Sequence, residues 1–218
     1  MNRNRKLLVL AIVLSLTILA CSALSNNSGN NTTDTGSSRD VLFEDDFSRT
    51  STGWDRFESE EAATDYGDDV YRIQIKTEDY IAWAGPYVDF ADVIIEVETY
   101  KASGGDDNGF GIVCRHVDVE NFYFLEISSD GFAWIGKQYN AEFELLDSTE
   151  SNQINLGNAT NDLRAECVGN RIALYINGTL ELEAIDSDLS HGDVGLIAET
   201  YTSTSTEILF DNFIVTKP

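Results

Sequence analysis

Three kinds of chemistry are open to the side chains of this 218-residue chain, and carboxylates enter all of them. Retaining hydrolysis of a glycosidic bond needs two carboxyl groups about 5 to 5.5 Å apart. In "VIIEVETYK" strand alternation puts Glu96 and Glu98 on one face, with Val93, Ile95 and Val97 on the other. The same pattern describes the solvated side of a half-buried strand. Cation binding needs clustered hard oxygens. "SGGDDNG" offers Asp106, Asp107 and Asn108, and "DSDLSHGD" offers Asp186, Asp188, Ser190 and Asp193. The second departs from a helix-loop-helix calcium site, because His191 stands at the invariant glycine position and Ile197 at the bidentate glutamate. The third chemistry is recognition, in which an aromatic face stacks on an apolar ligand face and polar groups beside it take hydrogen bonds. Candidates are Trp83, Tyr87, Arg115, Tyr123, Trp134 and Tyr139. Arg115, Tyr123 and Trp134 come from consecutive expected strands and should line one sheet, although Trp83, Trp134 and Tyr123 would serve equally as core. No G-x-S-x-G, Gly-rich phosphate loop or H-E-x-x-H helix is present.

The elements that must position these residues are strands. Past residue 41 apolar side chains recur with period two, as Tyr71, Ile73 and Ile75 do in "VYRIQIK" and Ile172, Leu174 and Ile176 in "RIALYI". Gly169-Asn170 and Asn177-Gly178 tolerate the positive φ of tight hairpin turns, so residues 163–185 read as three antiparallel strands. Further strands are expected near 42–47, 70–76, 80–84, 92–100, 109–116, 121–128, 132–138, 193–200 and 206–216. So many short strands with no composition break predict one all-β domain, residues 41–218, of two packed sheets. A net charge of −24, from 38 acidic against 14 basic residues, excludes nucleic acid as a natural partner.

In this order "FEDDFSRTSTGW", "NGFGIVCR", "NFYFLEIS", "NRIALYINGTLELEAID", "GDVGLIAE" and "EILFDNFIV" resemble the concanavalin A-like lectin/glucanase superfamily. The likeness is narrower to its laminin-G-like and 3-keto-disaccharide-hydrolase-like domains. It implies a jelly-roll sandwich of two curved antiparallel sheets with the first and last strands side by side. It also implies a possible structural calcium where Glu44, Asp45 or Asp46 and Asp211 converge. The glucanase branch carries its acids as E-x-D-x-x-E, which has no match here; Lys101 stands where the third acid would follow Glu96 and Glu98. The expected function is therefore recognition of a polysaccharide or glycan without catalysis. The alternatives are a glycoside-processing enzyme of the same fold, with Glu96, Glu98 or Glu126 as its acids, and a protein-interaction module of the cell envelope.

A basic head of Arg3, Arg5 and Lys6 precedes the apolar run Leu7 to Ala20. Fourteen residues rise about 21 Å as a helix, short of the roughly 30 Å hydrocarbon core, so residues 1–20 read as an export signal. "ILAC" resembles the lipobox of bacterial lipoproteins, which implies that Cys21 is lipidated as the first mature residue. The protein would be held on the outer side of the cell membrane or in the outer membrane by a lipid anchor. Residues 21–40, nearly free of large apolar side chains, read as a flexible tether. In a bacterium the sequons at Asn26, Asn30, Asn31, Asn158 and Asn177 are coincidental. With Cys21 assigned to lipid, Cys114 and Cys167 form a disulfide or remain two buried thiols.

Overall fold

The computed structural model describes residues 40–202 and 205–218. Cys21, the export segment and the tether up to residue 39 lie outside the described residues. Among the described residues the elements are fifteen strands: β1 (Val41–Asp45), β2 (Phe57–Glu58), β3 (Ala62–Gly67), β4 (Val70–Ile75), β5 (Tyr80–Ala84), β6 (Val93–Gly104), β7 (Gly109–Asp118), β8 (Asn121–Ser128), β9 (Phe132–Tyr139), β10 (Glu142–Glu150), β11 (Thr160–Val168), β12 (Arg171–Ile176), β13 (Thr179–Ile185), β14 (Asp193–Thr200) and β15 (Thr206–Thr216). One sheet has nine strands in the order β13-β12-β11-β6-β15-β4-β3-β2, with β1 added beside β15. The other has six, in the order β10-β9-β8-β7-β14-β5. All pairings are antiparallel.

The terminal strands meet as the family likeness implies, Glu44 opposite Ile214 and Asp45 opposite Phe213. Strand β15 shares one edge between two partners, its residues 206–210 lying against β4 and its residues 213–216 against β1. Its register against β6 shifts between Asp211 and Ile214, where Asn212 takes a φ of 53°. Asparagine tolerates that conformation better than a β-branched residue would. The expected hairpins form, with φ of 58° at Gly169, 49° at Asn177 and 83° at Gly178.

Between the sheets the core takes the inward set of each strand: Tyr71, Ile73 and Ile75 from β4, Val93, Ile95 and Val97 from β6, Phe110 and Ile112 from β7, Leu125 and Ile127 from β8. At one end Trp54 is wedged among aromatic rings, 5.2 Å from Phe47 and 4.9 Å edge-on from Phe213. Cys114 of β7 and Cys167 of β11 are joined by a disulfide, which ties the six-stranded sheet to the nine-stranded one across the core.

Three strands were not expected. In β3 the inward positions are Ala62, Thr64 and Tyr66, of which the first two are too small to give an apolar beat, and β2 is only two residues long. Strand β10 is a sheet edge with mostly exposed side chains and a register shift between Leu145 and Asp147, so its alternation is broken. Strand β6 runs to Gly104, past its expected end, and carries Lys101 inward, where its ammonium meets Asp106 and the Gly104 carbonyl. Glu96 and Glu98 lie on the outer side of the nine-stranded sheet, Glu96 beside Arg164 at 3.7 Å and Glu98 accepting from Asn212 Nδ2 at 3.1 Å.

Candidate ligand-binding face

The two faces of the six-stranded sheet have different chemistry. Inward lie Tyr123, Leu125 and Ile127 of β8; outward lie Phe122, Phe124 and Glu126. Register builds the outward face row by row. Trp83, Ile197, Gly111, Glu126 and Trp134 stand side by side across β5, β14, β7, β8 and β9. The next row holds Gly195, Val113, Phe124 and Gly136. Outward aromatic rings form a chain of contacts: Trp83 to Phe122 at 6.1 Å, Phe122 to Phe124 along β8 at 6.0 Å and Phe124 to Phe143 at 5.7 Å. A second apolar cluster thus sits on the outside of the sandwich, with Val113 and Ile197 in it and Trp83 and Trp134 at its margins.

At the β5–β14–β7 end this face opens into a cleft of about 530 Å³. Trp83 forms one wall and His116 faces it, ring centroids 5.9 Å apart. The loop after β5 is fastened by Asp193, which accepts from the backbone N–H of Tyr87 at 2.9 Å, Val88 at 2.8 Å and Val194 at 2.9 Å. Burial nevertheless holds the Asp193 carboxyl above its ordinary range. Tyr87, at a φ of 60° and 74% exposed, is thereby presented at the rim, its hydroxyl donating to Asp55. Burial lowers the His116 pKa, and its buried Nε2 has no hydrogen-bond partner among the described residues. An apolar ring wall, an exposed phenol, the carboxylates of Asp55, Asp89, Asp118 and Asp193 and the imidazoles of His116 and His191 therefore converge on one concave space.

Farther along the face lies an acid pair. Glu126 is fully buried; its Oε2 accepts from Trp134 Nε1 at 3.0 Å, and its Oε1 has no donor among the described residues. Glu199 of β14 reaches it across β7 and accepts from the Tyr201 hydroxyl on its own side. The approach depends on bare backbone between them. A Cβ on Gly109 would stand 2.7 Å from Glu199 Cγ and 2.7 Å from Trp134 Cζ2. Burial, and for Glu126 the neighbouring charge, push both carboxyls up, so the pair retains a proton where isolated carboxyls would not.

A stability consequence follows from that proton. With folded pKa values raised above the ordinary 4.5, the native state binds more protons than the unfolded one above that pH, so the pair's contribution falls as pH rises through the window. Glu126→Gln keeps an acceptor for Trp134 and gives Glu199 an N–H donor. It is expected to stabilise the protein by about 1–3 kcal/mol at neutral pH, the scale of an unsatisfied buried polar group. The gain should vanish below the ordinary carboxyl range. Denaturant unfolding of both proteins at about pH 4 and about pH 8 checks this, and parallel pH dependences would overturn it.

The structure redistributes the expected site residues. Trp83 and Trp134 lie on the outward face and are partly buried. Arg115, Tyr123 and Trp134 do not share that face. Tyr123 is in the core, its hydroxyl donating to Asp186 and accepting from Leu189 N at 3.1 Å. Arg115 is 1% exposed and bonded to Leu189 O at 2.8 Å, with Asp92 3.3 Å away. Both faces of β8 are apolar in sequence, so local alternation alone does not single out the inward set. Tyr139 packs against the core beneath Lys137. Asp186 and Asp188 clamp the Lys137 ammonium, and Asp106 meets Lys101. Glu44 and Asp46 border a recess that also contains Arg49, Asp46 being tied to Ser48 Oγ at 2.6 Å, while Asp211 accepts from Asn212 N. Among the described residues no group of three or more His, Cys, Asp or Glu is arranged to hold a metal ion. Asp193, expected as a cation ligand, instead fastens the loop after β5; His116 in the cleft and the meeting of Glu126 with Glu199 are not legible in the sequence, where the alternating glycines of "NGFGIV" are the available signal.

No protein-family model matches the sequence, and no curated protein does. Solved structures do. The carbohydrate binding module CBM66 from Bacillus subtilis superposes with a TM-score of 0.62 at 18% identity, covering 76% of this chain and 96% of that one. A Bacillus subtilis protein of unknown function with a galectin-like fold gives 0.63 at 12%, covering 82% and 96%. LamAcat from Zobellia galactanivorans gives 0.58 at 13%, covering 82% and 98%. With the two antiparallel sheets and the paired terminal strands, these similarities make the fold a concanavalin A-like jelly-roll sandwich.

Proposed function

We propose that this domain binds carbohydrate through the outward face of its six-stranded sheet, without chemistry of its own, and is carried outside the cytoplasm on a lipid anchor at Cys21. The observation that carries the reading is the cleft in which Trp83 and Tyr87 flank Asp55, Asp193 and His116. A sugar ring offers an apolar face to such a wall and hydroxyls to such carboxylates, and the small number of fixed polar groups orients it. The fold likeness to a named carbohydrate binding module supports the same reading.

A glycan and polysaccharide array, run once with calcium and once with chelator, tests the proposal. Saturable binding is expected, weakened at least tenfold, or about 1.4 kcal/mol, in Trp83→Ala and in Tyr87→Ala. The chelator arm decides whether a calcium ion at Glu44, Asp46 and Asp211 takes part. A folded protein that leaves the array blank would sink the proposal and point to a protein partner in the envelope.

A further inference from the structure

The six strands of the binding sheet carry only two basic residues, Arg115 and Lys137, and both are buried and already paired. Their outward and rim positions carry acids: Glu126 and Glu199 on the face, Asp193 at the cleft, with Asp55 and Asp89 beside it. The donors that hold Asp193 and Asp55 are backbone N–H groups and a phenol, which leave the negative charge uncompensated. A glycan bearing carboxylate or sulfate would meet this field with no unpaired lysine or arginine of the sheet to receive it.

The acid pair adds a specific demand. Glu126 Oε1 is buried, faces Glu199, and has no donor among the described residues. Two carboxylates facing one another call for a shared proton or an external cation. Calcium requires six to eight oxygens, and among the described residues no group of three or more His, Cys, Asp or Glu is arranged to hold a metal ion. An ammonium group requires less, a carboxylate and aromatic walls. That is what surrounds Glu199: Trp134 against it across Gly109, and Tyr201, 41% exposed, donating to it from the other side. From Gly195 in the cleft to Glu199 is four residues of β14, about 13 Å of strand, so one oligosaccharide can lie along both.

We propose that Glu199, backed by Glu126 and flanked by Trp134 and Tyr201, receives a protonated amine of the bound glycan, so that the ligand class is a free-amine aminosugar polymer. This rests on the carbohydrate-binding reading and names its ligand. The test is calorimetric titration of the protein with glucosamine oligosaccharides, with N-acetylglucosamine oligosaccharides of equal length, and with oligolysine of matched charge. The free-amine sugar is expected to bind at least tenfold more tightly than the acetylated one. That preference should disappear in Glu199→Gln and, as a check that does not disturb a buried group, in Tyr201→Ala. Equal binding of the two sugars would overturn the inference and leave carbohydrate binding standing. Oligolysine binding as tightly as the aminosugar would also overturn it, since the attraction would then belong to the acidic chain as a whole. Absence of binding to these sugars and to every neutral glycan on the array would remove both readings.

Discussion

Replacing Cys114 and Cys167 together by alanine should lower the unfolding free energy by about 4 kcal/mol, the chain-entropy value for cross-linking residues 53 apart. The effect arises in the unfolded chain, which the bridge keeps from separating the two sheets. Both sulfur positions are fully buried, so alanine keeps the site apolar but leaves a small cavity whose cost adds to the chain-entropy loss. The denaturant midpoint should fall while the slope m rises, since the unbridged chain exposes more surface. A fall in midpoint at constant m would point to lost packing instead. A loss below about 1 kcal/mol would show that the sheets hold together without the bridge. If the protein is exported, as its N-terminal sequence implies, the bridge is chemically permitted there.

Much of the fold was legible because it is written in short-range chemistry. The two Gly and Asn turns and the inward set of β6 follow from rules that act within a few residues. What was lost depends on register, which no local pattern contains. Phe122 and Tyr123 alternate between equally apolar faces, and only the placement of β8 between β7 and β9 decides that Tyr123 faces the core. Glu126 and Glu199 are 73 positions apart in the chain and meet only because β14 and β8 flank the glycines of β7. The cleft has the same origin: Asp55, Trp83, His116 and Asp193 come from separate segments, and the paired strands β5, β14 and β7 bring them together. Trp83 and Trp134 were legible as residue types suited to a ligand, but their partners were not.

The calcium-like spacing of "DSDLSHGD" shows how a sequence can state the right chemistry and leave out the partner. Asp186 and Asp188 do gather around a cation, and it is the ammonium of Lys137 on β9, 2.5 Å from Asp186 and 2.6 Å from Asp188, with Glu144 at 3.2 Å. Burial works against the Lys137 charge, but the bonds to Asp186, Asp188 and Glu144 outweigh it and raise the pKa. Burial likewise opposes the Asp186 charge, and the bonds from Lys137 and Tyr123 win and hold its pKa below 3.8. Lys137→Ala should therefore cost about 3–5 kcal/mol at neutral pH, the scale for removing one member of a buried pair. The sign of the pH dependence separates this from a packing defect. In the native protein the stability from Asp186 is present above its ordinary pKa of 3.8 and is lost as pH falls through the lower folded value. The part from Lys137 is full below 10.5 and is lost only as pH rises through its higher folded value. Without the lysine the carboxylates protonate readily, so acidification should shrink the gap between variant and parent. A gap that stays constant from about pH 7 down to about pH 3 would mean that Lys137 contributes through its methylenes alone.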